Sequence, residues 1–461
     1  MTAEATKPFV PTPKQVRRAV LASVVGTTVE WYDFMLFGTA SALVFNTLFF
    51  PSFDPLIGTV AAFATNAVGF LIRPLGGLVF GALGDRFGRK AILIFTLVMM
   101  GAATTAIGLL PTYAQIGIWA PLLLLFFRML QGLGAGAEFA GAVIMVAEYA
   151  PPKRRTLLTS LPGWGNALGL VLGAGIFSLL TATLSEDALH SWGWRIPFLL
   201  GVLGIAVGLW VRLGVIETPE YRQMQAQAEK KHARRSPLKE VFTGHPKSFL
   251  TSMAAVVAEN GTSYLVKTFI ITYIASHLML DESTGLNAIL VASLISLATT
   301  PLFGYSGDRF GVRRVYLTAT VFVFCFAFPF FWMISTGQTI LIYLAIILVY
   351  NFGVRALGAN QGALLSGLFP TRIRYSGVAS SRELAAALSG GLSPLIGTAL
   401  LAWTGHYWPV ALYIMVLCAI TFLALRFGPR SREGDDFNEV PLDPTPDHPS
   451  EPAQSPVNSA V

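Results

Sequence analysis

The chain has 461 residues, 54% hydrophobic and only 12% charged, with a mean hydropathy of +0.61. Soluble domains carry about 25% charged residues, so most of this chain does not face water. The formal net charge of +7 does not signal nucleic acid, because the basic residues sit in short segments between apolar runs. The two cysteines, Cys325 and Cys418, lie inside apolar runs, which argues against a disulfide framework or a cysteine metal site.

Residues 1–18 are polar and basic, with Lys7, Lys14, Arg17 and Arg18. No small-residue cleavage site ends a short apolar run, so this segment reads as a cytoplasmic tail and not a removed signal peptide. Twelve apolar runs follow, at 19–48, 57–82, 91–111, 119–148, 156–183, 195–215, 248–279, 286–306, 315–335, 339–368, 376–402 and 407–428. Each is near the roughly 20 residues that span a bilayer. The first contains Gly26 to Gly38, which places Glu30 and Asp33 three apart, on one helical face. An ionised carboxylate in a membrane interior costs roughly 2.5–3.5 kcal/mol even on lenient scales. Two readings fit the pair: a structural partner for a basic residue on a neighbouring helix, or a proton-binding or substrate-gating site.

Further along, Arg73 precedes a Pro-Leu-Gly-Gly break in span two and reads as support for a gate or for span four. Span four carries Arg128, Gln131, Ala135 and Glu138 on one face. An arginine at membrane depth must face the interior and find an acid, and Glu30 or Asp33 is the natural candidate. Arg128 then either serves as a structural ion-pair partner, or binds an anionic substrate and resets a carboxylate's protonation. Span five offers Asn166 as a cavity candidate. Span seven supplies Glu259 and, at i, i+4 and i+7, Asn260, Tyr264 and Lys267. Span ten supplies Asn351 and Arg355 on one face, with Asn360 and Gln361 beyond. Such stripes are either interhelical glue or ligand contacts. Arg382-Glu383 in span eleven reads as a local ion pair or a substrate-specific feature. Trp31, Tyr32, Trp164 and Phe269 are aromatic candidates for a cavity wall.

Topology follows from the basic residues. With the N-terminus inside, the segments expected to be cytoplasmic hold 26 of the 32 lysines and arginines, whereas the opposite loops hold acids such as Asp54, Glu186, Asp187, Asp281 and Glu282. This satisfies the positive-inside rule and puts both termini in the cytoplasm. The charged segment 217–247 divides the spans six and six as a linker, with an interfacial helix expected around Pro219–Arg235. The tail from Pro429, rich in Pro, Asp, Glu and Ser, is expected to be disordered. The six histidines are scattered and form no metal or catalytic constellation. No phosphate-binding Gly-rich loop with Lys-Ser/Thr is present. Neither an enzyme nor a cofactor is expected, and no filter sequence suggests a channel.

The chain repeats itself. Gly81-Ala-Leu-Gly-Asp-Arg-Phe-Gly-Arg-Lys90 after span two returns as Gly304-Tyr-Ser-Gly-Asp-Arg-Phe-Gly-Val-Arg-Arg314 after span eight, 223 residues on. Pro151-Pro-Lys-Arg-Arg155 echoes in Pro370-Thr-Arg-Ile-Arg374. Two six-helix halves in parallel repeat are the expectation. The glycines, including Gly81 and Gly88, let helices approach and the chain turn sharply. Asp85 and Asp308 can cap a helix or pair with an arginine across the face, closing a gate, with Arg86, Arg89 and Arg309 as its basic members. Basic residues acting only as a topology signal would not need the Gly-x-x-Gly-Asp-Arg pattern twice.

This repeated loop resembles the signature of the major facilitator superfamily. The metabolite:proton symporter branch is suggested by Glu30-Trp31-Tyr32-Asp33-Phe34, Arg73-Pro74-Leu75-Gly76, Arg128-x-x-Gln131-Gly132 through Glu138, Glu217-Thr218-Pro219-Glu220 and Phe369-Pro370-Thr371-Arg372, a match covering about 17–430. The resemblance implies an all-α membrane protein of twelve transmembrane helices in two six-helix pseudo-symmetric bundles, 19–216 and 248–428, whose spans one, four, seven and ten line a central cavity. It implies a monomer in the plasma membrane that carries a small organic acid or zwitterion with protons by alternating access. Asp33, Glu30 and Glu138 would couple protons, while Arg128, Gln131, Asn260, Tyr264, Lys267, Asn351 and Arg355 would bind substrate. Burial favours a neutral carboxyl and an opposed guanidinium an ionised one, so exchanging partners exchanges proton affinity. An exporter of the same fold is the alternative. Superfamily exporters often carry a Gly-Pro signature in span five, and its absence here favours uptake.

Overall fold

The computed structural model describes residues 11–51, 55–214 and 236–431. The expected interfacial helix at 219–235, the Glu217–Glu220 motif and the acidic tail lie outside the described residues, apart from the tail's first residues 429–431. Among the described residues, eleven helices are long and apolar enough to cross a membrane. The twelfth, continuous over 246–277, is long enough but interrupted by Glu259, Asn260, Thr262, Ser263 and Lys267. In chain order they are α1 (Pro13–Phe49), α2 (55–87, with a turn at Ile72), α3 (Arg89–Leu109), α4 (Trp119–Tyr149), α5 (Pro152–Thr183) and α6 (Glu186–Leu213). The second set is α7 (246–277), α8 (Glu282–Phe310), α9 (Val312–Ser335), α10 (Thr339–Gly367), α11 (Thr371–Thr404) and α12 (Trp408–Phe427). No strand occurs among the described residues.

Helices in lipid gain little from hydrophobic burial against one another, and close backbone approach drives their packing instead. Glycines supply it. A Cβ at Gly132 of α4 would overlap the Gly69 carbonyl of α2, one at Gly136 the Arg73 carbonyl, and one at Gly76 the Leu133 carbonyl. At Gly165 and Gly169 of α5 an added Cβ would likewise crowd the α1 backbone at Thr28 and Tyr32, at 2.7 Å. Within the first half α1 packs along α5, and α2 and α3 against α4. Within the second, α7 and α9 pack on α12 and α8 on α10. The halves meet where α2 lies on α11 and α5 on α8.

The repeated motif departs from the expected loop. Gly81–Phe87 are the last turns of α2 and Arg89-Lys90 the first residues of α3, so Gly88 alone is the joint. The same holds for Gly311 between α8 and α9. Both glycines have positive φ, 106° and 91°, a conformation that L side chains rarely adopt. That single residue reverses the chain, which is why composition does not distinguish the motif from a loop. The end of the linker is also folded: a short helix, Pro237–Gly244, buries Val241 and pairs Glu240 with Arg372.

Replacing Gly132 with Leu is expected to cost about 1–3 kcal/mol through overpacking and to lower the unfolding temperature in detergent by several degrees. Gly175→Leu, at a position where an added Cβ would meet no atom within 4 Å, is expected to leave it unchanged.

Candidate functional site

Helix α1 carries Glu30 and Asp33 into the first bundle, both buried, at 5% and 3% exposure. They face different neighbourhoods. Glu30 forms an ion pair with Arg73 of α2 at 3.0 Å, and the Arg73 guanidinium lies over the Phe70 ring at 4.7 Å. Glu383 of α11 is within electrostatic reach of both members, and itself pairs with Arg382, whose guanidinium stacks on Phe139 of α4 at 3.8 Å. The local ion pair expected of Arg382-Glu383 therefore stands beside the contact between the halves.

Asp33 has no ion-pair partner within 4 Å among the described residues. Its Oδ2 accepts the Thr104 hydroxyl of α3 at 2.7 Å, while its buried Oδ1 has no hydrogen-bond partner there. Thr104 in turn accepts from Gln131 Nε2 at 2.7 Å, and Gln131 Oε1 accepts from Arg128 at 3.0 Å. Arg128 also donates to Asn66 of α2 and lies over Phe37 at 4.4 Å. The direct pairing of Arg128 with a span-one carboxylate is thus replaced by a relay, Asp33–Thr104–Gln131–Arg128. Helix rotation explains it: Gln131 fills the gap that an arginine–aspartate contact would close.

The Thr104 hydroxyl has one proton and two acceptors in reach, Asp33 at 2.7 Å and the Met100 carbonyl at 2.9 Å. Its orientation must therefore answer to the state of Asp33. Nothing in the apolar run Gly101–Leu109 marks Thr104, and nothing in α2 marks Asn66; only proximity to α1 and α4 identifies them.

Glu138 is placed elsewhere. It pairs with Arg212 near the end of α6, which also donates to the Leu93 carbonyl. A Cβ at Gly26 of α1 would collide with both charged groups, so that glycine makes room for the pair. Arg212 ends an apolar run and by spacing alone belongs to the following loop, yet it is 2% exposed. Glu138 is thereby ion-paired within the first bundle, apart from Asp33.

In the second half, π-helical turns redirect the polar stripes. Leu265–Phe269 of α7 and Val349–Arg355 of α10 are such turns, in which i→i+5 hydrogen bonds widen the spiral. Asn351 and Arg355 reach different neighbours. Asn351, fully buried, accepts from Thr299 at 2.7 Å and donates to the Ala292 and Ile347 carbonyls at 3.2 and 3.1 Å. These bonds join α10 to α8. Arg355 turns instead to Glu259 of α7, 3.8 Å away. Gln361 donates to the same acid at 3.5 Å, and Asn360 bonds the Phe303 and Ala356 carbonyls.

Lys267 has no carboxylate within 4 Å among the described residues. Its ammonium lies 4.8 Å from the Trp31 ring centre of α1 and 5.6 Å from that of Tyr350, and Arg355 flanks Tyr350 at 5.0 Å. Asn260 is buried, and its Nδ2 has no hydrogen-bond partner among the described residues. Tyr264 meets Phe70 edge-on at 6.1 Å, and Phe70 continues through Phe34 (4.8 Å) to Trp31 (5.6 Å). The structure thus brings Lys267, Tyr264 and Trp31 together across the two halves. Trp164 is an inter-half tie, donating to the Leu297 carbonyl at 2.8 Å, and Tyr32 donates to the Pro197 carbonyl at 2.7 Å.

The hydrogen bonds that join the halves gather at the end carrying the repeated motif. Asp85 caps α11, accepting from the Tyr375 and Ser376 amides at 3.2 and 2.8 Å and from the Ser376 hydroxyl at 2.7 Å. Beside it Glu148 holds two arginines, Arg89 and Arg374, each at 3.1 Å, and Arg89 reaches the Thr371 carbonyl at 2.8 Å. Asp308 makes the pseudo-symmetric contact, accepting from the Thr156 and Leu157 amides of α5 at 2.7 and 2.9 Å. The second latch is lighter, because Val312 occupies the place of Arg89 and Gly367 that of Glu148 in the repeat. Arg86 and Arg309 are exposed and lie over their neighbours Phe87 and Phe310. Gly81 and Gly84 admit Ser376 and Tyr375 of α11 at contact distance. Nothing in the sequence singles out Glu148, because it sits at the end of span four, where an acid is unexceptional.

The sequence profile described as Major Facilitator Superfamily matches residues 26–379 and 253–455. The chain is 40% identical over 409 residues to a shikimate transporter of Escherichia coli (strain K12), covering 88% of this chain and 93% of that protein. It is 38% identical over 418 residues to a proline/betaine transporter of the same organism, covering 88% and 82%. In three dimensions it resembles the proton:xylose symporter XylE bound to 6-bromo-6-deoxy-D-glucose, with a TM-score of 0.76 over 92% of this chain and 98% of that one, at 16% identity.

Substituting Glu148→Gln leaves Arg89 and Arg374 facing each other without their shared acid. In a Cys325→Ser, Cys418→Ser background, a cysteine replacing Ala379, buried where α2 meets α11, is expected to react roughly five-fold faster with an impermeant maleimide when Glu148 is neutralised, the effect of about 1 kcal/mol on a two-state equilibrium. Equal reactivity would remove Glu148 from the latch.

Proposed function

The chain belongs to the Major Facilitator Superfamily and is a transporter, not an enzyme, and we propose that it takes up a small carboxylate-bearing solute together with a proton. The motif-bearing end, where lysine and arginine concentrate, is then the cytoplasmic one, with both termini on that side.

The observation that carries the solute reading is Lys267. A cation at membrane depth without an acid is costly, and this one lies between Trp31 and Tyr350 with Arg355 adjoining. An incoming carboxylate would neutralise it, with the unpartnered Asn260 amide and the Tyr264 hydroxyl as further donors. Shikimate, proline and betaine, the solutes in the relatives' names, all carry a carboxylate, which supports the same class. Ring faces around the site would accept the apolar body of the solute.

Proton coupling is assigned to Asp33. Glu30 is neutralised by Arg73, whereas ionised Asp33 would be a buried charge with a single hydrogen-bond donor. A proton on Asp33 removes that charge and frees the Thr104 hydroxyl to turn to the Met100 carbonyl. The change passes through Gln131 to Arg128, whose hold on Gln131 and Asn66 loosens or tightens accordingly. Alternating access then proceeds by rocking the halves about this midplane region, and the Asp85 and Asp308 latches must part for the cytoplasmic end to open.

Proteoliposomes with an imposed pH gradient test the assignment. Asp33→Asn is expected to abolish gradient-driven accumulation while retaining solute exchange at equal pH, and unchanged accumulation would overturn it. Thr104→Val is expected to lose at least tenfold in gradient-driven accumulation, and Thr104→Ser, which keeps the hydroxyl, to restore it. Lys267→Gln is expected to raise KM for a carboxylate solute about tenfold or more, the loss of roughly 1.4 kcal/mol of binding; an unchanged KM would exclude Lys267 as the anion site.

A further inference from the structure

Helices α8, α9 and α10 enclose a groove of about 350 Å³ on the flank of the second half, a volume within the range of small-ligand sites. Helix α9 is peripheral, packed on α8, α10 and α12, so the groove opens toward the bilayer and not toward the central site. Its deep wall is aromatic: Phe303, Phe322 and Phe352 touch in sequence, with ring centres 5.8 Å (Phe303–Phe352) and 6.2 Å (Phe322–Phe352) apart. Its rim is Arg314, exposed in the first turn of α9 beyond the Gly311 joint. Among the described residues the Arg314 guanidinium makes no ion pair within 4 Å, while its neighbour Arg313 donates to the Leu425 carbonyl. Eight residues of helix separate Arg314 from Phe322, about 12 Å of rise, so the groove runs from the basic rim into the depth where only hydrocarbon is available.

We infer that this groove binds an anionic phospholipid, one acyl chain lying against Phe303, Phe322 and Phe352 and the headgroup phosphate pairing with Arg314. A chain of methylenes is the apolar occupant available at that depth, and basic pockets between transmembrane helices at the cytoplasmic face suit anionic headgroups. A guanidinium recognises phosphate through paired N–H donors. A zwitterionic headgroup would bring its own cation to the same rim and gain less.

The test uses the purified full-length chain, stripped of lipid in detergent and incubated with equal amounts of dioleoyl phosphatidylglycerol and dioleoyl phosphatidylcholine, with retained lipid counted by native mass spectrometry. Wild-type protein is expected to retain phosphatidylglycerol about tenfold in preference. Arg314→Gln is expected to bring the preference to within twofold, and Ala356→Trp, which fills the groove from α10, to lower retention of both lipids. Arg426→Gln, at an exposed arginine of α12 on the same end, is expected to leave the preference unchanged. No preference in the wild type, an undiminished preference in Arg314→Gln, or an equal loss in Arg426→Gln would each overturn the site. Undiminished retention in Ala356→Trp, or displacement by glycerol 3-phosphate as effective as by the lipid, would overturn the seating of the chain.

Discussion

A charge carried into hydrocarbon has to be met by a counter-charge or by hydrogen-bond donors within the protein, and the arrangement of this molecule follows from how each buried ion meets that demand. Glu30 is met by Arg73, Glu138 by Arg212, Glu148 by two arginines, Glu259 by Arg355 and Glu383 by Arg382. Such pairs hold helices at defined rotations, because removing one partner strands the other at a cost of several kcal/mol. Against this background Asp33 and Lys267, like Arg128, have no ion-pair partner within 4 Å among the described residues. The first has a hydroxyl in place of a cation, and the second has aromatic faces in place of an acid. The incomplete satisfaction of these two groups sets them apart from the ion pairs that hold the bundles.

Close approach of backbones is the second constraint, and it serves motion as well as packing. Between α2 and α4 the glycines lock one half together. Between α2 and α11 the same residue type creates a smooth inter-half contact, held at the end by Asp85 on the α11 N-terminus. An aspartate that caps amides of the other half makes a bond whose geometry is demanding and whose loss exposes groups that water can satisfy once the end opens. The two latches are unequal, since the Arg–Glu–Arg cluster exists only on the α2–α11 side. The fold is thus pseudo-symmetric in backbone and asymmetric in the energetics of its closure.

Much of this is legible in the chain alone. The number of spans, the two halves and the importance of the repeated motif are carried by run length, charge placement and recurrence. Polar residues at membrane depth can be named from the same pattern. Their partners cannot. The expected Arg128–carboxylate contact is a four-residue relay, because Thr104 and Gln131 occupy the space between. Helical spacing sets Asn351 and Arg355 on one face, yet their side chains bond to different helices, α8 and α7. Hydropathy leaves Arg212 at the mouth of a loop, and the fold buries it against Glu138.

The sequence by itself determined that this is a membrane-spanning chain of two six-helix repeats with acids and bases inside it, because hydropathy over twenty residues and a motif repeated at a constant interval are local properties of the chain. Tertiary structure alone decided which of those charges are spent on one another and which are not. Partner choice depends on helix rotation, on single wide turns and on residues brought together from helices far apart in sequence, and no spacing within one helix records where its neighbour's side chains will stand.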